Sequence, residues 1–262
     1  MDDEIRAYYE RGMELDRVTQ GYSRIEFVRT KEILGRYLPP PPARVLDVGG
    51  GPGAYADWLA EQGYELRLVD ATPLHVQQAI ERARGRFSAV EGDARSLEEP
   101  SESYDVVLLL GPLYHLTERD DRIAALREGH RVLRPGGLLA AAAISRFASL
   151  LDGLHGGYLS DPVFWPIVER DLGDGQHRSG GEAPAPAFTT AYFHRPEELA
   201  SEVEQAGFEL EGLFGVEGPG WLLVDRPDEQ TEENILRVAR AVEREPTVIG
   251  TSAHLLAIGR KP

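Results

Sequence analysis

The stretch RVLDVGGGPGAYADWL, residues 44 to 59, constrains the fold of this chain more than any other. Its first part, up to Val48, is short, apolar and β-branched, which is typical of a buried strand. Four of the next five residues are glycines, which let the backbone take positive φ and approach a ligand closely. From Ala54 onward the apolar positions recur at helical spacing. A strand, a glycine turn and a helix in this order present free backbone N–H groups to a nucleotide-like ligand.

The same alternation of strand and helix continues along the chain. Periodicity predicts strands at 65–70, 87–90, 105–110 and 138–144, with helices at 73–84 and between Thr117 and Pro135. Further on it predicts helices at 197–206 and 228–244 and strands at 208–216 and 253–259. Repeated strand–helix units imply an α/β fold with a doubly wound, Rossmann-like and mostly parallel sheet.

Two segments lie outside this alternation. Residues 2–17 and 23–38 are predicted to form helices that precede the core, and we expect residues 1–38 to act as an N-terminal helical lid. Residues 146–191 show little regular periodicity, and 173–187 are predicted to be a mobile loop because glycine and proline are frequent there. Aromatic side chains flank that loop, so the insertion is interpreted as a substrate lid. The expected division is 1–38 lid, 39–145 core, 146–195 insertion and 196–262 the rest of the core.

Composition excludes several classes of function. The chain has no cysteine, which removes disulfides, thiolate zinc sites and a cysteine nucleophile. Its net charge of −16 argues against an extended nucleic-acid surface, since phosphates require lysine and arginine. The acidic N-terminus does not resemble a signal peptide, and no apolar run approaches the roughly 20 residues of a membrane helix. We therefore expect a soluble, cytoplasmic protein without nucleic-acid or membrane partners.

Acidic residues lie at or near the carboxyl ends of the first three predicted strands. Asp47 lies two residues before the first glycine, where a carboxylate can accept from the turn or from a cationic ligand. Asp70 ends the second strand, where it can bridge both ribose hydroxyls of a nucleoside. Asp93 follows the third strand, and its carboxylate can accept from an adenine amino group while the Ala94 N–H donates to the ring. A helix cap or an ordinary turn explains each aspartate singly, but the set predicts a nucleoside site.

The glycine turn alone leaves two cofactor classes open. A nicotinamide-type pattern, Gly-x-Gly-x-x-Ala, runs through Gly49, Gly51 and Ala54. The pattern Asp-x-Gly-x-Gly-x-Gly runs through Asp47, Gly49, Gly51 and Gly53. The later segments have to decide between them.

The ordered set of segments resembles the class I S-adenosylmethionine-dependent methyltransferases, in particular those acting on small molecules. It comprises the Asp-x-Gly-x-Gly-x-Gly turn, Asp70, GDA at 92–94, YDVVL at 104–108 and RVLRPGG at 131–137. The resemblance covers residues 44–145 well and the last strands loosely. The Pro-Gly-Gly before the fifth strand argues against the dehydrogenase alternative.

The resemblance implies particular roles for these residues. Asp47 with Gly49, Gly51 and Gly53 would face the methionine part of S-adenosylmethionine, Asp70 the ribose, Asp93 and Ala94 the adenine, and Gly111 the reactive methyl group. It also implies a seven-stranded sheet whose last strand is antiparallel. The segment 218–250 is longer than the simple hairpin of that plan.

Two histidines are candidates for the chemistry. His115, at the end of the fourth strand, lies where the resemblance places the substrate, and an imidazole can titrate near neutrality. His194 follows the insertion and is the second candidate, although a packing role explains either residue. Tyr8, Tyr114, Trp165 and Tyr192 are predicted to bind the substrate. The histidines show no metal-ligand spacing, so no metal is expected.

The sequence therefore predicts an enzyme that transfers a methyl group from S-adenosylmethionine to an oxygen, nitrogen or carbon atom of a small molecule, leaving S-adenosylhomocysteine. Two alternatives remain: an NAD(P)-dependent oxidoreductase, and a non-catalytic protein that binds the cofactor on a methyltransferase scaffold. The expected oligomeric state is a monomer or a homodimer.

Overall fold

The computed structural model describes residues 3–12, 14–15, 23–178, 188–223 and 228–262. Within them the helices are α1 (Asp3–Tyr9), α2 (Ser23–Leu34), α3 (Ala54–Glu61), α4 (Pro73–Ala83), α5 (Arg119–Val132), α6 (Ala148–Gly156), α7 (Phe164–Asp174), α8 (Pro196–Gln205) and α9 (Glu229–Val242). The strands are β1 (Arg44–Val48), β2 (Glu65–Asp70), β3 (Ser88–Glu91), β4 (Tyr104–Leu109), β5 (Leu133–Ser145), β6 (Gln176–His177), β7 (Ala191–His194), β8 (Glu209–Gly215) and β9 (His254–Arg260).

The described residues form one sheet of nine strands, two more than the resemblance implied. Seven of them follow the order β3-β2-β1-β4-β5-β9-β8, and β7 with β6 joins beside the carboxyl end of β5. The pairs from β3 through β5 are parallel. The last strand, β9, lies between β5 and β8 and is antiparallel to both. The predicted fold class, an α/β doubly wound sheet with an antiparallel last strand, is confirmed.

The central strands are buried on both faces because helices cover each side. On one face, residues of β1, β4 and β5 pack against Leu126 of α5 and Leu199 of α8. On the other face they pack against Leu34 of α2, Leu59 of α3 and Ala79 of α4. Strands buried in this way need continuous apolar runs, which is the pattern that the sequence shows.

The N-terminal helix is shorter than predicted. A helix was expected over 2–17, but α1 ends at Tyr9 and the chain turns at Gly12, whose φ of +70° is unfavourable for a helix. Position 13 and residues 16–22, which include the end of that prediction, lie outside the described residues.

The insertion contains more regular structure than predicted. It holds α6 and α7, and glycines in the left-handed region end both helices, at Gly157 and Gly175. Ser149 donates to Asp171 at 2.5 Å, which joins the two helices. The predicted loop 173–187 falls mostly on residues 179–187, which lie outside the described residues.

The insertion returns to the sheet through β7, which pairs side by side with the carboxyl end of β5. β5 pairs with β4 up to Ala141, and further along it pairs in parallel with β7 at Ile144–Phe193 and Ser145–His194. This pairing holds the end of the insertion over the edge of the sheet where β4 stops.

No helix in the described part of the chain is long and apolar enough to cross a membrane.

A buried ion pair joins two helices beside this edge. Arg122 of α5 and Glu202 of α8 are both almost fully buried and lie 2.8 Å apart. The Arg122 guanidinium also donates to the carbonyl oxygens of Leu116 and Thr117, each at 2.9 Å. Arg122 therefore fixes the segment that follows β4 as well as the packing of α5 on α8.

We expect Arg122→Ala to lower the free energy of unfolding by about 3–5 kcal/mol, because the buried Glu202 loses its partner. Arg260→Ala, which breaks a partly exposed pair with Glu211, should cost no more than about 1 kcal/mol. Urea unfolding followed by circular dichroism measures both. Equal losses in the two variants would contradict the role assigned to Arg122.

Candidate active site

A cavity of about 170 Å³ lies at the carboxyl ends of β1 to β4. Ile5 and Tyr9 of α1 and Glu26 of α2 form part of its wall. The structure brings most of the predicted cofactor residues into the same wall: Asp47, Gly49, Gly51, Asp70, Asp93, Ala94 and Gly111. The predicted catalytic residue His115 and the predicted substrate residue Tyr114 lie there too.

Two glycine backbones approach each other closely in the wall of the cavity. A Cβ atom on Gly111 would lie 2.6 Å from the carbonyl oxygen of Gly49, and one on Gly49 would lie 2.7 Å from the ring of Pro112. Gly49 and Gly51 both have positive φ. Gly53 does not line the cavity; it precedes α3 with a φ of +83° and shapes the turn.

Asp47 is a buried carboxyl group that faces the cavity. It is fully buried, and neither of its oxygens has a hydrogen-bond partner among the described residues. Burial raises the pKa of Asp47 to about 7, and the nearby charge of Asp70 adds to the increase. A buried carboxyl without a partner is costly, so this position suits a ligand that brings a cationic donor.

Asp70 is held in place by the backbone of the glycine turn and of the next helix. Its carboxylate accepts from the N–H groups of Gly51 and Thr72, each at 2.8 Å. The Nδ1 atom of His75 lies 3.3 Å from the same carboxylate. Two fixed donors orient Asp70 at the edge of β2 and link it to the turn that follows β1.

Asp93 is paired with an arginine that the sequence analysis did not single out. Arg95 binds its carboxylate through Nη2 at 2.6 Å and Nε at 3.0 Å, and reaches Asp121 through Nη1 at 2.8 Å. The Arg95 guanidinium holds the pKa of Asp93 below its usual range. Asp93 is therefore an ionised, fixed acceptor in the wall of the cavity.

His115 lies among aromatic rings and is neutral. Its Nε2 atom is 2.5 Å from the hydroxyl of Tyr9, and Phe188 stacks on its ring with centroids 5.6 Å apart. Burial lowers the pKa of His115 to about 4, although the Thr190 backbone and the charge of Asp70 act in the opposite direction. The imidazole does not titrate near neutrality, as the sequence suggested; it is an uncharged proton acceptor at pH 7.

Three of the predicted substrate residues do not line the cavity. Tyr8 lies just behind the wall, where it packs edge-on against Tyr9 and Phe188. Trp165 lies on α7 and is 39% exposed. Tyr192 is covered by the guanidinium of Arg122, 3.7 Å from its ring centroid.

His194 does not reach the cavity either. It is fully buried, and its Nε2 atom lies 3.3 Å from the Glu202 carboxylate that binds Arg122. Burial lowers the pKa of His194, so the ring is neutral and packed. The structure gives this histidine a place in the ion-pair network between α5 and α8 rather than at the site.

A further polar cluster borders the cavity through Glu26. Glu26, Glu217 and His254 bring donor atoms within 4.8 Å of one another, from α2, the end of β8 and the start of β9. Glu217 is buried and accepts from the Ser252 hydroxyl at 2.8 Å, while His254 Nδ1 lies 2.5 Å from its second oxygen. No spacing in the sequence reveals this cluster, because its members come from distant segments.

Comparisons with known proteins agree with this architecture. Residues 45–137 match the family model described as a methyltransferase domain. The chain is 29% identical to the ubiquinone biosynthesis O-methyltransferase of Xanthomonas axonopodis pv. citri (strain 306), over 90% of this chain and 92% of that protein. It is 30% identical to the enzyme of the same name from Xanthomonas euvesicatoria pv. vesicatoria (strain 85-10), over 82% and 81%.

Solved structures show the same fold at lower identity. A SAM-dependent methyltransferase from Methanosarcina mazei superposes with a TM-score of 0.60 at 20% identity, over 87% of this chain and 96% of that one. An S-adenosylmethionine-dependent methyltransferase from Mesorhizobium loti gives 0.60 at 17% identity, over 90% and 100%.

The fold and the glycine turn thus define a cofactor-binding α/β protein of the Rossmann-like type. The chain belongs to the class I S-adenosylmethionine-dependent methyltransferases. It is an enzyme that uses S-adenosylmethionine to methylate a small molecule. The oxidoreductase and non-catalytic alternatives are not favoured.

The raised pKa of Asp47 predicts a pH-dependent stability. Between the ordinary value of 3.8 and about 7, the native state keeps a proton that the unfolded state has lost. The free energy of unfolding therefore falls as the pH rises through this window, by about 1.4 kcal/mol per pKa unit at most.

Asp47→Asn abolishes this titration, so its stability relative to the wild type should increase from pH 4 to pH 7 and level off above. The total change is about 4 kcal/mol, from roughly three pKa units at about 1.4 kcal/mol each. Urea unfolding at pH 4.5, 6 and 8 measures it, with the exposed Asp120→Asn as a control whose difference stays small. A difference between Asp47→Asn and wild type that does not vary with pH would rule out the buried, protonated carboxyl.

Proposed function

We propose that this enzyme methylates a hydroxyl oxygen of its small-molecule acceptor, with His115 as the proton acceptor. The observation that carries the proposal is the neutral imidazole of His115 in the cavity wall, beside Gly111. A hydroxyl nucleophile has to lose its proton during methyl transfer, and a neutral histidine within reach can take it. Relatives that align over most of the chain are named O-methyltransferases, which supports the same acceptor atom.

The residues of the cavity fit S-adenosylmethionine in a defined orientation. The unpaired Asp47 carboxyl suits the ammonium of the methionine part, and the Gly49–Gly51 turn allows close backbone approach. We assign Asp70 to the ribose hydroxyls and Asp93 with Ala94 to the adenine. Gly111 would border the methyl group, and Gly53 would act through the shape of the turn.

The chemistry divides between cofactor and protein. When bound, S-adenosylmethionine supplies an electrophilic methyl carbon, which the acceptor oxygen receives as the S–CH3 bond breaks. His115 Nε2 takes the proton that leaves the acceptor hydroxyl. The aromatic rings of Tyr114 and Phe188 beside His115 position an apolar acceptor and exclude water.

The other parts of the proposal concern the lids over the cavity, the partners of the enzyme and its location. We assign residues 1–38 and 146–195 to lids over the cavity, around the two core segments 39–145 and 196–262. Ile5 in the cavity wall and Phe188 on His115 support these assignments. The net charge of −16 is unfavourable for a nucleic-acid partner. We further propose a cytoplasmic enzyme that is monomeric or homodimeric.

Asp70→Ala should weaken the binding of S-adenosylhomocysteine by about 1–2 kcal/mol, the value of one or two charge-assisted hydrogen bonds. Isothermal titration calorimetry gives the affinity, and a thermal melt checks the fold because Asp70 also accepts from two backbone N–H groups. Glu211→Gln, a change outside the cavity wall, is the matched carboxylate control. Unchanged affinity in Asp70→Ala would remove Asp70 from the ribose role.

His115→Gln should lower kcat by about 100-fold or more, because it deletes the proton acceptor. In the wild type, kcat at saturating S-adenosylmethionine should be lost only as the pH falls through about 4, where His115 becomes protonated, and should be flat between pH 6 and 8. Methyl transfer followed by mass spectrometry gives both profiles. A kcat within threefold of wild type would show that another group accepts the proton.

A further inference from the structure

The phenol of Tyr9 occupies the side of the cavity where His115 lies. Its hydroxyl is 2.5 Å from His115 Nε2, the atom that a proton acceptor has to offer. Its ring meets the rings of His115 and His75 edge-on, with centroids 5.2 and 5.0 Å apart. An aromatic hydroxyl supplied by the chain itself therefore already makes the hydrogen bond expected of an acceptor.

The surroundings of this phenol suit an uncharged aromatic ring. Phe188 stacks on His115, and Tyr114 lies edge-on to the same ring at 4.7 Å. Among the described residues of the cavity wall, Arg95 is the only arginine or lysine, and Asp93 and Asp121 already neutralise it. Carboxylate and phosphate acceptors would meet the aspartates of the wall without a matching cation.

The helix that carries Tyr9 is short and is held in place by tertiary contacts. α1 has seven residues, too few for a stable isolated helix, so its position depends on its contacts with the rest of the chain. Besides the contacts of Tyr9 itself, these include the buried side chain of Ile5, a hydrogen bond of 2.7 Å from Thr190 to Glu4, and the packing of Tyr8 on Phe188. The last two join α1 to the returning end of the insertion.

We propose that the methyl acceptor is a neutral phenol that binds by displacing the side chain of Tyr9, so that α1 is an intramolecular competitor for the acceptor site. The acceptor hydroxyl then donates to His115 Nε2 in place of the Tyr9 hydroxyl. This inference rests on the proposed O-methylation and names the chemical class of its substrate. The phenol binds only to molecules in which Tyr9 is withdrawn. Its apparent affinity is therefore the intrinsic affinity multiplied by the fraction of such molecules.

The test uses p-cresol, which reproduces the tyrosine side chain, and toluene, which lacks the hydroxyl. Binding to the full-length wild type, Tyr9→Phe and Tyr9→Leu is measured by isothermal titration calorimetry with S-adenosylhomocysteine present. Tyr9→Leu should bind p-cresol about tenfold more tightly than the wild type, and Tyr9→Phe about threefold, because the competing hydroxyl is gone. Toluene should gain less than p-cresol, and Tyr37→Phe, a hydroxyl deletion outside the cavity wall, should match the wild type.

The ¹⁵N chemical shift of His115 Nε2 provides a second measurement. Its hydrogen-bonded value should be lost in Tyr9→Phe and restored by p-cresol but not by toluene. Equal or weaker binding of p-cresol in both Tyr9 variants would overturn the proposal and make Tyr9 part of the acceptor-binding wall. If Tyr9→Leu does not fold, Tyr9→Phe decides alone, since it keeps the ring.

The experiment distinguishes failure of the proposed cofactor site from failure of the proposed displacement of Tyr9. The affinity for S-adenosylhomocysteine is measured on the same samples. Normal cofactor binding without a gain for p-cresol overturns only the displacement of Tyr9. Absent cofactor binding overturns the proposed cofactor site, while the titration of p-cresol, repeated without cofactor, still decides the displacement of Tyr9.

Discussion

The contact between the backbones of Gly49 and Gly111 sets the geometry of the site. The turn after β1 and the segment after β4 come from adjacent parallel strands, and they approach so closely that neither position accommodates a Cβ atom. Several residues of the cavity wall are close to this contact in sequence or by hydrogen bond. Asp47 precedes Gly49 by two residues, Asp70 is tied to the turn through the Gly51 N–H, and Tyr114 and His115 come three and four residues after Gly111.

Local surroundings give the two aspartates Asp47 and Asp93 different protonation behaviour. Asp47 lies near the end of β1 and Asp93 just after β3, yet burial raises the pKa of Asp47 and Arg95 lowers that of Asp93. Asp47 suits a cationic donor, and Asp93 is an acceptor that is ionised at neutral pH. Burial also keeps His115 neutral, which is the state in which an imidazole accepts a proton.

The sequence predicted the parts of the molecule that depend on local pattern. β2 was predicted over 65–70 and is found there, because a short apolar run with polar ends has few alternatives. The helices α6 and α7 were missed altogether, because both are short and end at glycines, so neither shows a sustained helical periodicity in the sequence. The 2.5 Å bond between Tyr9 and His115 spans 106 positions, and no local pattern carries such information. His194 looked like His115 in the sequence, and only the packed Glu202 beside it shows its different place.

The buried pair of Arg122 and Glu202 has a consequence for genetic screens of this enzyme. Arg122 binds Glu202 and also the carbonyl oxygens of Leu116 and Thr117. A substitution of Glu202 in α8 would therefore disturb the backbone next to His115. Substitutions at Glu202 will therefore score as loss of function although that residue lies outside the cavity wall. A map of inactivating changes would include positions on α5 and α8 as well as the cavity wall.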